Sequence, residues 1–228
     1  MESPEKRFYD RRRSDRRNPR FTPYDLRRRG SRYFAILDAV AAPEKLSAVE
    51  WGFGDPNCAA ALAEVFRSYV ALDIFADRTA GEEELPFPVV AHNLNYDLPF
   101  ADESFDVSIA MMVIEHLFDP FHSFREIART TRRGGDVFVN LPMLTSIKNR
   151  ALLATGRLPM TSSKNWWELE EWDGGHLHNF TIPTVRRLGE KYGLALARLY
   201  PVGQHLRIKE LWPAMFCHEL SFHFRRTA

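Results

Sequence analysis

Cysteine is scarce in this chain. Cys58 and Cys217 are the two in 228 residues, too few for a disulfide framework and without the paired spacing of a metal knuckle. They are expected to be buried free thiols in a reducing compartment. Long apolar runs are missing too, and no stretch approaches the ~20 residues of a membrane-spanning helix. The N-terminal segment has no apolar core of the kind a secretory leader requires. A soluble, cytoplasmic protein with no membrane span is the expectation. No internal repeat is visible. A hydrophobic content of 45% is ordinary for a globular domain and sufficient for a core.

Net charge is +1, but the balance is uneven. Residues 1–32 contain eleven Arg and one Lys against five acidic residues, a net of +7 that leaves −6 for the rest. The segments "RRRSDRR" and "RRRG" show neither helical nor strand periodicity. They read as a basic arm, solvated or docked on the acidic remainder or on a phosphate-bearing substrate. Nucleic-acid binding stays open but is not favoured, because Asp10, Asp15 and Asp25 interrupt the basic run. Residues 1–32 are thus set apart as an arm from a domain at 33–228.

From residue 48 to about 200, strand and helix patterns alternate. Ser31–Pro43 reads as a helix with a stripe at Phe34, Leu37 and Ala41. "AVEWGF" is a short buried strand. Asp55 and Pro56 supply an N-cap and a first-turn proline for a helix to about Ser68. "YVALDIF", "FPVVAHNL" and "FDVSIAMMVI" follow as strands. Asp119-Pro120 opens a helix with Phe121, Phe124, Ile127 and Ala128 on one side. Gly134-Gly135 turns into the strand "DVFVNLP". "TIPTVRRLGEKYG" is a helix with Val185, Leu188 and Tyr192 inward, ended by Gly193. "LALARLYPV" and "ELSFHF" are two last strands, an antiparallel pair. The expected class is α/β: a Rossmann-like, doubly wound, mostly parallel seven-stranded sheet with helices on both faces and an antiparallel last strand. Residues 143–180 interrupt the alternation and read as a lid or substrate insertion.

In such sheets ligands bind beyond the carboxyl ends of the strands, at the switch in strand order. Gly52 and Gly54 stand there, in "VEWGFGDPN". A dinucleotide fingerprint needs a third glycine, and Asn57 occupies that place. Asp73 lies nineteen residues after Gly54, at the end of the second strand, where a carboxylate accepts both ribose hydroxyls. Glu50 precedes the glycines and suits an ammonium group. No basic residue of the turn is available for a pyrophosphate. An adenosine carrying a sulfonium and an amino-acid tail fits better than NAD.

These stretches resemble the class I S-adenosylmethionine-dependent methyltransferases, of the small-molecule type. "VEWGFGDPN" is similar to the first motif, "VALDIF" to the second, and "HNLNYDLPFADESFDVSIAMMVIEHLFDP" with "SFREIARTTRRGGDVFVNLP" to the middle of the domain. The likeness covers about residues 46–200. It implies S-adenosylmethionine as cofactor. Glu50, Gly52 and Gly54 would line its methionine part, Asp73 the ribose, and Asn93 and Leu94 the adenine. Met111 or Met112 would face it from strand four. Pro56 and Asn93 depart from the pattern, which usually has a small residue and an Asp there.

Methyl transfer to an alcohol calls for a base, and histidine is the usual one near neutral pH. His116 follows Glu115 directly after strand four, and His176 and His178 sit in the insertion. All three are candidate catalytic residues, although a capping or surface-loop role fits each as well. Glu115, Trp166 and Trp167 are candidate acceptor contacts, joined by Trp172; the tryptophans would equally cover the end of the sheet. "MMVIEH" is also similar to part of the Glu-x-x-Glu-His pattern of plant-type small-RNA 2′-O-methyltransferases. Met112 replaces its first Glu, so that resemblance gives an incomplete set and no metal is expected. Asp102 and Asp106 read as structural.

The favoured acceptor is a small molecule or glycan-type compound, methylated on oxygen. Two other readings stay open: an RNA or protein methyltransferase using the basic arm, and a catalytically silent cofactor-fold scaffold. The sequence is silent on oligomeric state.

Overall fold

The computed structural model describes residues 25–74, 85–162, 170 and 172–227. Seven strands form one sheet in the order β3-β2-β1-β4-β5-β7-β6. They are β1 (Ser47–Trp51), β2 (Ser68–Asp73), β3 (Val89–Ala91), β4 (Phe105–Met111), β5 (Thr131–Pro142), β6 (Leu194–Pro201) and β7 (Glu219–Arg226). The first five pair in parallel, and β7 runs antiparallel to both β5 and β6. β1 is flanked by β2 on one side and β4 on the other. The strand order therefore reverses there, and the carboxyl ends of β1 and β4 open a crevice.

Strand alternation sorts the side chains into two cores. Val49 and Trp51 of β1, with Val137, Val139 and Leu141 of β5, face one side. Ala48 and Phe138 face the other. α3 (Pro120–Thr130) and α5 (Ile182–Lys191) cover the first side with Phe124, Ile127, Val185 and Leu188. α1 (Phe34–Ala39) and α2 (Pro56–Val65) cover the second with Ala35, Ile36, Ala59 and Leu62. Cys58 and Cys217 are buried free thiols.

The two Asp-Pro helix starts are as read. Asp55 accepts from the Asn57 amide at 3.0 Å, and Asp119 from the Phe121 amide at 2.8 Å. Several boundaries differ. α1 is six residues long and ends at Ala39. Its buried residues are Ala35 and Ile36, while Phe34 and Leu37 are half-buried. The face is turned because neighbouring Tyr33 reaches inward to Glu50. α2 stops at Val65, and β3 keeps three residues of the longer strand expected. Phe121 is 51% exposed, since the first turn of α3 lies at the crevice rather than over the core. β5 begins at Thr131, so the Gly134-Gly135 pair lies inside it. Gly135 has no room for a Cβ, which would lie 2.7 Å from the Asp106 carbonyl oxygen. The insertion holds α4 (Ile147–Ala154), which no clear period announced, and a 3-10 turn at Trp172–Gly175.

The described end of the basic arm packs on the domain. Leu26 is buried, and Arg32 forms a two-point pair with Glu219 at 2.9 and 3.0 Å. No described helix is long and apolar enough to cross a membrane.

One buried polar centre ties the loop before β4 to α3. Glu126 accepts from the Leu98 amide at 2.8 Å and from Arg129 at 2.8 and 2.7 Å. Arg129 also donates to the Phe100 and Leu98 carbonyls and to Asp102. Removing the carboxylate leaves the buried Leu98 amide without its acceptor and takes two bonds from Arg129. Glu126→Ala is expected to cost about 2–3 kcal/mol in urea unfolding. Glu190→Ala, which breaks an exposed pair with Arg186, is expected to stay within about 0.5 kcal/mol.

Candidate active site

The β1–α2 turn opens with two glycines in the left-handed region, Gly52 at φ +66° and Gly54 at φ +51°. A side chain at Gly52 would also collide, its Cβ lying 2.8 Å from Val113 Cγ2. The loop after β4 therefore rests directly on the turn. At Gly54 a Cβ would meet nothing within 4 Å, so this part of the turn faces open space. The Gly52 amide donates to the Leu72 carbonyl at 2.7 Å. That bond brings Asp73, at the end of β2, alongside the turn.

Glu50 is fully buried on the helical side of β1. Its carboxyl accepts from the Tyr33 hydroxyl at 3.1 Å and from the Tyr69 hydroxyl. Burial raises its pKa to about 8, and the negative charges of Asp55 and Asp73 add to the rise, against the lowering effect of the two phenols. Glu50 thus stands behind the turn, braced by residues of two other elements. The carboxylates of Asp55 and Asp73 flank the turn, with no basic residue among residues 52–57. A cationic ligand fits that field, and a pyrophosphate does not. The open face at Gly54 and the carboxylate of Asp73 fit the amino-acid and ribose parts of S-adenosylmethionine.

Leu94 is buried, and its Cδ1 would lie 3.8 Å from a Cβ at Gly52. Asn93 uses its Oδ1 to accept from the amide and side chain of Asn95 at 3.1 and 2.9 Å. Asn95 in turn accepts from the Phe118 amide at 2.7 Å, tying the loop after β3 to the loop after β4. Met111 packs with the α1/α2 core. Met112 adopts φ +54°, an uncommon conformation for a side chain of its size. Its amide donates to the Asn140 carbonyl at 3.0 Å. The strained residue turns the chain sharply into the 3-10 turn Ile114–His116.

That turn meets the insertion. The Glu115 carbonyl accepts from the Leu177 and His178 amides at 2.8 and 3.3 Å. The rings of His116 and His176 lie 4.7 Å apart. His178 is directed elsewhere, its Nε2 donating to the Phe118 carbonyl at 3.2 Å. Trp172 is exposed, while Trp166 and Trp167 lie outside the described residues. Exposed Tyr96, Phe118 and Leu177 lie on the same chain segments. Sequence reasoning missed Thr161, Asp173 and Asn95. Their roles depend on partners eleven or more residues away, apart from the local turn at Asn95. Asp102 and Asp106 pair with Arg129 and Arg132, away from this crevice.

Residues 49–139 match the family model of the methyltransferase domain. A curated S-adenosylmethionine-dependent methyltransferase of Mycolicibacterium smegmatis is 32% identical over 111 residues. The match takes in 48% of this chain and 40% of that protein, so the chain spans less than half of its relative. Among solved structures, a methyltransferase of Mesorhizobium loti superposes with a TM-score of 0.63 at 15% identity, over 89% of this chain and 100% of that one. A Haloferax volcanii methyltransferase, solved with the Trm112 activator, gives 0.61 at 17% identity, over 86% and 88%. The [4+2]-cyclase SpnF gives 0.60 at 13% identity, over 86% and 79%. Likeness at these identities establishes the fold. Residues 49–139 thus carry a segment similar to the methyltransferase domain, on a fold shared with S-adenosylmethionine-dependent methyltransferases. S-adenosylmethionine is the cofactor this domain implies.

The buried carboxyl behind the turn gives a pH dependence of known sign. A raised pKa means that the stability contributed by neutral Glu50 is full below the ordinary carboxylate range. It is lost as pH rises through about 8. The melting temperature of the wild type is expected to fall relative to Glu50→Gln between pH 5 and pH 8.5. Parallel profiles for the two proteins would show that this carboxyl does not titrate in that range.

Proposed function

We propose that the protein methylates an oxygen of a small-molecule or glycan-type acceptor, using S-adenosylmethionine held at the β1–α2 turn. The observation that carries this reading is the placement of two groups at the carboxyl ends of the adjacent strands β1 and β4. The acidic glycine turn lies at the end of β1, and the His116–His176 pair lies beyond the end of β4, joined through Val113 packed on Gly52.

When bound, the cofactor supplies a methyl group on a sulfonium that leaves as a neutral thioether. Asp73 would hold the ribose hydroxyls, and Leu94 would pack on the adenine. Glu50, braced by Tyr33 and Tyr69, fixes the turn from behind. An alcohol acceptor must surrender its proton as its oxygen takes the methyl. The imidazoles of His116 and His176 are the groups placed to manage that proton. The insertion, sewn to the Glu115 carbonyl, shields the pair from bulk water. His178 supports the same loop through Phe118.

Calorimetry with S-adenosylmethionine tests the cofactor half. Micromolar binding is expected, falling about 100-fold or more in Asp73→Ala, because a ribose hydroxyl pair loses both charged acceptors. Gly52→Ala is expected to weaken binding as well, since it strains the turn and displaces Val113. A folded wild-type protein without affinity for the cofactor would favour the scaffold reading. Labelled-methyl transfer to panels of hydroxylated small molecules, glycans, RNA and protein tests the acceptor half. Labelling confined to RNA, abolished by removing residues 1–24 and by raised salt, would replace the small-molecule reading.

A further inference from the structure

Glu115, His116 and His176 each bring one potential ligand atom to within 4.8 Å of the others. Two are adjacent in sequence and the third comes from the insertion sixty residues on. The way the two rings are fixed is informative. His116 Nδ1 lies 3.1 Å from the Gly175 carbonyl oxygen, which only accepts. In the neutral ring that contact puts the proton on Nδ1 and the lone pair on Nε2. His176 Nδ1 lies 2.8 Å from Thr161 Oγ1. The Thr161 hydroxyl spends its one proton on Asp173 Oδ2 at 2.9 Å. His176 Nδ1 must therefore donate to Thr161, which again leaves the lone pair on Nε2.

Asp173 is itself anchored for this task. It is buried, holds φ +45°, and accepts from the Thr161 and Ser162 amides at 2.8 and 3.0 Å. A carboxylate–hydroxyl–imidazole chain thus sets one ring, and a backbone carbonyl sets the other. This is the supporting arrangement that metal-ligating histidines show, with Nδ1–H bound outward and Nε2 turned to the ion. Glu115, with no exposed surface, places a carboxylate oxygen 3.9 Å from His116 Nε2. Ligand atoms around a four-coordinate zinc stand about 3.3 Å apart, so small side-chain rotations bring the set to bonding distance. Neither Thr161, Asp173 nor Gly175 is part of any motif in the sequence.

We propose that Glu115, His116 and His176 bind one divalent transition-metal ion, of the zinc, cobalt or manganese type. Two imidazoles and one carboxylate suit such an ion better than magnesium or calcium, which prefer oxygen ligands. Three protein ligands leave at least one position open for an acceptor oxygen. A hydroxyl held there gives up its proton to water nearer neutral pH. This rests on the acceptor reading above for the role of the ion, though not for its binding, and refines it: the two imidazoles manage the proton through the ion they hold and do not accept it themselves. Thr161 and Asp173 are positioning residues, acting through His176.

The test titrates apo protein with Zn²⁺ by calorimetry, counts bound metal by mass spectrometry, and records the visible absorption of a Co²⁺ derivative. One ion per chain is expected, with a Kd in the micromolar range or tighter. His176→Ala and Glu115→Gln are expected to weaken binding at least 100-fold. Thr161→Val, which removes a hydroxyl at the edge of the insertion, is expected to weaken it about 10-fold and to alter the Co²⁺ spectrum. Affinity for S-adenosylmethionine, measured on the same samples, should stay within about 3-fold. That retained affinity also reports folding. The proposal is overturned if folded, cofactor-binding wild type takes up no ion. It is equally overturned if uptake is unchanged in His176→Ala and in Thr161→Val. Metal uptake without cofactor affinity would leave the site standing and remove the methyltransferase reading instead.

Discussion

The site depends on one buried carboxyl. Glu50 sits with no solvent exposure between β1 and the helices over it, and its charge state is governed by what surrounds it. Tyr33 and Tyr69 satisfy both oxygens. A charge in that position is strongly unfavourable, and the two phenols offset part of that cost without reversing it. The same two bonds join the segment before α1, the first strand and the second strand. They hold still the end of β1 from which Gly52 and Gly54 depart. The neighbouring Arg32–Glu219 pair and buried Leu26 fasten the same segment to the sheet. The described part of the basic arm is thus coupled to the glycine turn through Arg32, the adjacent Tyr33 and Glu50.

A second constraint acts from the other wall of the crevice. The chain leaves β4 through a left-handed Met112 and at once forms the Ile114–His116 turn. The insertion then closes on that turn by backbone bonds to the Glu115 carbonyl. Backbone contacts of this kind are indifferent to side-chain chemistry. They place the residues at 115, 116 and 176 into one space.

Much of the frame is legible in the sequence because it follows from local rules. Asp-Pro at 55–56 and at 119–120 marks two helix starts by capping and a fixed proline φ. The apolar runs of β1, β4 and β5 mark strands buried on both faces. Glycines 52 and 54 mark the turn at the end of β1, with Asp73 at the end of the neighbouring strand. What escapes is set by distant partners. The face of α1 follows Tyr33 and its bond to Glu50, across seventeen residues, so a stripe drawn through Phe34 and Leu37 is turned by one position. α4 lacks a strong amphipathic pattern, with Asn149 as its buried residue, and its period carries little signal. Glu115, His116 and His176 could be named as reactive types, but their grouping depends on a loop closing sixty residues later. His178 looks equivalent to His176 in the sequence, and only the Phe118 carbonyl separates their roles.

Fold alone does not settle the chemistry of such a crevice. The similarity to a [4+2]-cyclase, nearly equal in TM-score to the similarity to methyltransferases, makes the point. A parallel sheet with a reversal between β1 and β4 offers a binding place, and the residues around it decide what happens there. In this chain the cofactor end and the acceptor end are built on different principles. At the turn, two left-handed glycines leave an open face beside the carboxylates of Asp55 and Asp73. At the other end, a buried carboxylate and two imidazoles with fixed tautomers face a common space. Fixing a tautomer through a buried Asp173 and a threonine relay is more than a solvated surface loop requires. It makes sense where one lone pair must point at one place, and that requirement is chemical rather than structural.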